Sequence, residues 1–254
     1  MNFKKYMSYF LVIIGLVLFM GISSNFVLAE DLTAEEIIQR VDENEYIESA
    51  RMEAKMVIED RGREMVKEFY SYLQGEDSLS EFTNPRDRGT RYLKLGDDLW
   101  MYFPDAEDLV SISGHMMREG MMGSDFSYED AMESQQLAEL YNFELEGEET
   151  INGRETYAIL ATAREDEDVS YYERKIWVDQ ERFVILKEEY FSTSGRLLKE
   201  MEVKEVAEFG DDRWYPVEVV MNNKLKEESR TTMEVIEVDF DYEIPEGKIS
   251  LETL

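Results

Sequence analysis

Few side chains in this sequence could do covalent chemistry. There is one histidine, His115, and no cysteine. A triad of His115, Ser124 and an acid would need base, nucleophile and orienting group to converge, and Ser124 does not sit in a Gly-x-Ser-x-Gly elbow. No His-Glu-x-x-His pair is present to hold zinc. The run Glu165-Asp166-Glu167-Asp168 lacks the calcium-loop pattern and reads as a solvated turn. Neither catalysis nor a metal or cofactor is therefore expected. What the chain does concentrate is methionine. Met101, Met116, Met117, Met121, Met122 and Met132 fall close together, with Trp100, Tyr102, Phe103 and Phe126 beside them. Methionine is unbranched and polarizable, which suits a surface that must adapt to varied apolar partners. Each aromatic at 100–103 reads either as strand core or as the lining of a cavity.

The elements around this cluster follow from spacing. Thr33 with Glu36 forms a capping box, and Ile37, Ile38 and Val41 share one face of the helix it starts. From Ala50 the period becomes two: Ala50, Met52, Ala54, Met56 and Ile58 alternate with polar residues, Val57 excepted. Arg61-Gly62 turns into a second strand over Met65–Leu73. Further strands are predicted over Thr90–Leu95, Leu99–Phe103, Tyr141–Leu145, Thr156–Ala163, Tyr171–Val178, Phe183–Phe191, Leu197–Val206, Tyr215–Met221 and Thr231–Val238. Asn152-Gly153 between apolar runs is a strong hairpin signal. Short strands joined by hairpins make a mainly β, α+β protein built on an antiparallel meander, open or closed into a barrel. From Ser113 to Leu140 the alternation stops. A flexible Met-rich stretch leads to a helix over about Tyr128–Leu140, capped by Ser127 or Asp125. An irregular excursion inside a meander is a natural place for a lid.

Composition narrows the partners. The 254 residues carry a formal charge of −31, which repels nucleic acid and anionic headgroups. Aromatic content of 12% and apolar content of 43% exclude a disordered acidic chain. The start reads as a secretory signal: Lys4 and Lys5, an apolar core from Tyr9 to Met20, then Val27 and Ala29 before a cut at Glu30. The rival is an uncleaved anchor, for which the apolar core is short of the roughly 20 residues a span needs. Residues 1–29 are expected to be signal peptide, and 30–254 one exported domain.

One stretch carries a family resemblance. After Arg88-Gly89-Thr90 comes Tyr-Leu-Lys-Leu-Gly-Asp-Asp-Leu-Trp-Met-Tyr-Phe-Pro, ending at Pro104, and then Gly123-Ser124-Asp125-Phe126-Ser127-Tyr128-Glu129-Asp130. The chain resembles the outer-membrane lipoprotein-sorting family, relatives of the LolA-like periplasmic lipoprotein carrier. Trp214-Tyr215-Pro216 and Ile244-Pro245-Glu246-Gly247 also fall in keeping with it. Where that family has a basic loop after the proline, this chain has Asp105-Ala106-Glu107-Asp108. The resemblance implies an unclosed antiparallel β-barrel, or half-barrel, with covering helices and an apolar cavity for acyl chains. It implies a periplasmic, monomeric, non-enzymatic carrier of acylated lipoprotein or lipid, working with an inner-membrane transporter or release complex. The implied cavity and lid residues are Trp100, Tyr102, Phe103, Met116, Met117, Met121, Met122 and Phe126. Gly123, Ser124, Asp125, Tyr128 and Asp130 carry the family motif, Ser124-Asp125 reading either as a turn and helix cap or as a functional contact. Two variants share the fold: an envelope-stress module that binds partner proteins, and a free-lipid shuttle for a resistance-nodulation-division transporter.

Overall fold

Thirteen strands form one antiparallel sheet in a computed structural model that describes residues 32–133, 137–165, 167, 169–210 and 213–254. The expected signal segment, residues 134–136, and Asp166 and Asp168 of the acidic run lie outside the described residues. Helix α1 (Ala34–Glu45) starts at the expected capping box: Glu36 N–H donates to Thr33 Oγ1 at 3.2 Å, and Thr33 N–H donates to Glu36 Oε2 at 2.8 Å. Ile37, Ile38 and Val41 are fully buried beneath it.

The strands are β1 (Ala50–Asp60), β2 (Arg63–Gln74), β3 (Asp77–Phe82), β4 (Arg91–Leu95), β5 (Asp98–Phe103), β6 (Asp108–Ile112), β7 (Tyr141–Ile151), β8 (Arg154–Ala163), β9 (Glu173–Asp179), β10 (Ile185–Phe191), β11 (Leu197–Phe209), β12 (Arg213–Asn223) and β13 (Ser229–Asp239). Their order across the sheet is β6-β5-β4-β3-β2-β1-β13-β12-β11-β10-β9-β8-β7. Two meanders, β1–β6 and β7–β13, thus meet along a central β1–β13 seam, and the edges β6 and β7 remain apart. This is the unclosed antiparallel barrel. Asn152 and Gly153 both adopt positive φ (52° and 80°), the backbone that a tight β7–β8 turn requires. Bulges at Glu53/Ala54, Leu145/Gly147 and Val203/Glu205 break the register, and bulges of this kind bend and twist a sheet.

Alternation decides the concave face. On β1, Ala50, Met52, Ala54, Met56 and Ile58 are all buried, and Val57 points the other way. Ala54 pairs with Phe69 on one side and Val235 on the other, so a small residue lies between larger ones and leaves room above it. The chain crosses from edge β6 to edge β7 through residues 113–140, and this crossing covers the concavity. It contains α2 (Tyr128–Glu133) and α3 (Leu137–Leu140), both within the helix expected over Tyr128–Leu140, with residues 134–136 outside the described residues. Two strands went unforeseen, β3 and β6.

Candidate functional site

Two adjoining cavities open on the concave face. The first, about 380 Å³, has Met52, Ala54, Phe69, Ser71, Leu73, Met233 and Val235 along its sheet side. Glu45 and Ile47, at the end of α1, and Ala131 of α2 close it from above, with Tyr215 at its side. The second, about 350 Å³, is bounded by Met121, Phe126, Leu137, Ile185, Met201 and Met221, with Tyr171, Arg174, Glu188 and Tyr190 among its polar lining. Glu45, Ala131, Tyr215, Val219 and Met233 line both. Each is of the size that holds small organic ligands.

Methionine dominates this space. Of the 15 methionines, Met1, Met7 and Met20 precede the described residues. The other twelve all belong to two apolar clusters or pack against them. Met52, Met56 and Met101 are buried in the larger cluster, and Met116, Met117, Met121, Met122 and Met132 pack on it from the crossing segment. Met221 belongs to the smaller one, with Met201 and Phe126 packed against it. Among the sequence candidates, Met121 and Phe126 line the second cavity, while Met116, Met117 and Met122 cover the larger cluster beside it.

Trp100, Tyr102 and Phe103 line neither cavity. On β5 the buried residues are Leu99 and Met101, so alternation sends Trp100 and Tyr102 to the opposite face. There the Arg91 guanidinium lies 5.9 Å from the Tyr102 ring centroid and Arg91 Nη1 donates to the Thr253 carbonyl at 2.6 Å, which brings the C-terminal tail over that face. Phe103, at the strand end, is exposed.

The motif residues fasten the crossing segment. Asp125 is buried; its Oδ1 accepts from Ser229 Oγ (2.6 Å) and Lys226 Nζ (3.3 Å), its Oδ2 from Thr231 Oγ1 (3.1 Å), and its own N–H donates to Thr231 Oγ1 (2.9 Å). The segment is therefore pinned to β13. Ser124 Oγ donates to the Phe126 carbonyl at 3.0 Å, and Met121 N–H donates to the same oxygen at 2.8 Å. Gly120 admits no side chain, because a Cβ there would lie 2.0 Å from the Ser124 carbonyl oxygen. Gly123 takes φ +85° in the turn that follows. Ser127, rather than Asp125, caps α2: Asp130 N–H donates to Ser127 Oγ and Ser127 N–H to Asp130 Oδ2. Asp130 also accepts from Lys199 Nζ (2.6 Å) and from Tyr171 OH (2.5 Å), tying α2 to the second half of the sheet. The Tyr128 and Tyr92 hydroxyls are 3.1 Å apart, and Tyr92 OH reaches Met122 Sδ at 3.1 Å. His115 is exposed.

The buried charges were not foreseen. Arg174 Nε donates to Glu188 Oε1 at 2.5 Å, and Tyr190 OH donates to Glu188 Oε2 at 2.8 Å. The Arg174 guanidinium lies 5.0 Å from the Tyr190 ring centroid and 5.4 Å from that of Tyr141. Burial disfavours the Arg174 cation, but Glu188 and the two tyrosines outweigh it and hold the group charged. At Glu45, burial first, then the neighbouring Asp42 and Glu188 carboxyls, push the pKa up to about 8, against the pull of Arg174. Burial, with Glu45 second, pushes Tyr215 up to about 12. A sequence signal existed for each charge. Arg174 and Glu188 occupy the same alternation parity as Ile176 and Leu186 on their strands. The last turn of α1, Asp42-Glu43-Asn44-Glu45, holds acids and no base, where a helix favours cations.

A large open antiparallel sheet whose concave face is roofed by its own crossing segment is the architecture of the LolA-like proteins, and solved structures share it. A DUF1329 family protein from Desulfovibrio piger superposes with a TM-score of 0.80 at 24% identity, over 87% of this chain and 97% of that one. A putative outer membrane lipoprotein-sorting protein domain from Vibrio parahaemolyticus gives 0.76 at 22%, over 87% and 97%. A LolA superfamily protein from Nitrosomonas europaea gives 0.72 at 22%, over 88% and 100%. The family model described as "-like: Uncharacterized protein" matches residues 74–254, and the chain belongs to that family. No curated protein matches the sequence.

Proposed function

We propose that the protein is a periplasmic carrier that shields the acyl chains of lipoproteins or other lipids in the concave face during transfer toward the outer membrane. The observation that carries this reading is the pair of adjoining cavities, walled by apolar side chains and roofed by a segment rich in methionine. Each methylene of an acyl chain exposed to water costs about 0.8 kcal/mol, so cargo crossing an aqueous compartment needs such a shelter. Methionine walls conform to a chain without fixing its shape, which keeps release possible. In this reading Met121 and Phe126 touch cargo, Met116, Met117 and Met122 seal the roof, and Asp125 anchors it. The carrier does no chemistry of its own, acts as a monomer, and exchanges cargo with an inner-membrane transporter or release complex. Residues 1–29 direct export and are removed near Ala29. Among the described residues no helix is long and apolar enough to cross a membrane.

The test is native mass spectrometry of protein purified from cells, with extraction and identification of what is bound. Acylated peptide or lipid in the expected mass range supports the carrier reading. Protein that comes out empty and also fails to take up an uncharged pyrene-tailed alkyl probe overturns it, and the partner-binding alternative then stands first.

A further inference from the structure

Glu45 is unusual among the cavity residues. It lines both cavities, so it stands in the wall they share, surrounded on the sheet side by Val219, Met233 and the Tyr215 ring. Among the described residues its carboxyl makes no hydrogen bond or ion pair, although the other carboxylates lining the second cavity are engaged: Glu188 with Arg174 and Tyr190, Asp130 with Lys199 and Tyr171. Glu45 is partly buried, and an unpaired carboxylate beside apolar surface costs more the less water reaches it; its place at the carboxyl end of α1 adds to the cost.

We propose that this shared wall is a headgroup site for an amphiphile carrying a protonated amine, with Glu45 as the counter-ion and the tail laid into either cavity. This rests on the carrier reading and specifies the cargo. The charge balance of the wall selects the sign. From α1, Asp42 faces Glu45; from β9 and β10, the mutually paired Arg174 and Glu188; from β12, Tyr215 with Arg213 behind it. On the side of α2, Asp130 is matched by Lys199. In the first cavity the one cation is Lys94, and Glu76, Asp77 and Asp97 act on it. The surplus is acidic, so a carboxylate or phosphate head is repelled and a hydroxyl gains one neutral hydrogen bond. An ammonium brings three donors and a charge, and its charge-assisted bond is about twice as strong as a neutral one. The Tyr215 ring adds an aromatic surface that favours cations. Desolvation first, then Asp42 and Glu188, hold the Glu45 pKa up, and the arriving cation would lower it and release a proton.

The experiment compares decylamine, decanol and decanoate binding to the purified protein by calorimetry, from about pH 6 to about pH 8. The amine is expected to bind at least about tenfold tighter than decanol near pH 8, with decanoate weakest. Amine affinity should rise as pH rises toward 8, by close to tenfold per unit, because binding displaces the Glu45 proton. Glu45→Gln should bring the amine down to the level of decanol and abolish the pH dependence, with an unchanged circular dichroism spectrum and cooperative melting reporting that the variant is folded. An amine that binds no better than decanol, or a preference that survives in Glu45→Gln, overturns the headgroup site while the cavity stands. Failure of all three ligands to bind overturns the carrier reading, and this inference with it.

Discussion

The two halves of the concave face are built from the same strand geometry and differ in what they bury. In the first half, β1–β5 present Met52, Met56, Phe69, Phe82, Leu99 and Met101; its buried charges are Lys67, paired with Asp87 at 2.6 Å, and Lys94 at the cavity, and its neutral polar contacts include Ser71 with Ser80 and Tyr92 with Tyr128. In the second half, β9–β11 present Arg174, Glu188 and Tyr190 at the equivalent inward positions, with Lys199 and Tyr171 clasping Asp130. Apart from those two lysines the first wall asks mainly for apolar volume, a demand many side chains meet. The second holds its charges other than Glu45 by named partners, so its geometry is fixed group by group. On the proposed carrier reading, the first wall would accept varied tails and the second would orient a head.

That contrast can be broken by mutation. The largest effect is expected at Arg174→Ala, which strands the buried Glu188 carboxylate and should cost about 3–5 kcal/mol in urea denaturation. Replacing both partners, Arg174→Met with Glu188→Leu, should recover most of that loss. A double variant as unstable as the single one would mean that the charges organise more than each other. In the first half Met56→Ala should cost about 2–3 kcal/mol and Met56→Leu under about 1.5 kcal/mol by the same measurement. A large loss in the leucine variant would show that this wall, too, is specified by shape.

Glu45 sharpens the comparison through pH. Its folded pKa, about 8, lies above the ordinary 4.5, so between those values the folded protein holds a proton that the unfolded chain has released. Its contribution is complete below the unfolded value and is lost as pH climbs through the window, with a slope of at most about 1.4 kcal/mol per unit. Asp42, raised mainly by burial, acts in the same direction. Denaturation across this range should show that slope in the wild type and a shallower one in Glu45→Gln. The smallest effect concerns the whole surface. With a formal charge of −31, added NaCl should raise the melting temperature by screening self-repulsion. A melting temperature that does not rise with salt would show that the acidic faces are already well spaced.

Much of the fold was legible because its signals are local. The Thr33–Glu36 box, the alternation of β1 with Val57 as its exception, and Asn152-Gly153 each act within a few residues. β3 escaped because Asp77–Phe82 is short and rich in Ser, Asp and Glu, with little β character; β6, Asp108–Ile112, does hold Val110 and Ile112 but is only five residues long and runs straight out of the acidic loop at 105–108. The facing of β5 could not be read at all. Leu99 to Phe103 are apolar without a break, so nothing in the pattern distinguishes Trp100 and Tyr102 from Leu99 and Met101. The crossing segment reads as flexible from its glycines and methionines. Its anchor, Asp125 on Thr231, spans 106 positions and leaves no local trace. The buried Arg174 and Glu188 were legible in parity and overlooked, since a charge on an apolar face is ordinarily taken as a break in the pattern.

The seam between β1 and β13 has a consequence for how the chain reaches this structure. Each meander assembles from neighbours in sequence, hairpin by hairpin, and such short-range closures are fast. Joining Ala54 to Val235 and Ile58 to Thr231 closes a loop of more than two thirds of the chain, and the last strand must be available before it can happen. The sheet should therefore form as two separately nucleated leaves that zip together late. In pulse-labelling hydrogen exchange during refolding, the amides of the β1–β13 ladder would gain protection after those of β1–β2 and β11–β12. Until that moment each leaf carries a bare edge in what becomes the middle of the sheet, and it is there that misassembly between two chains would begin.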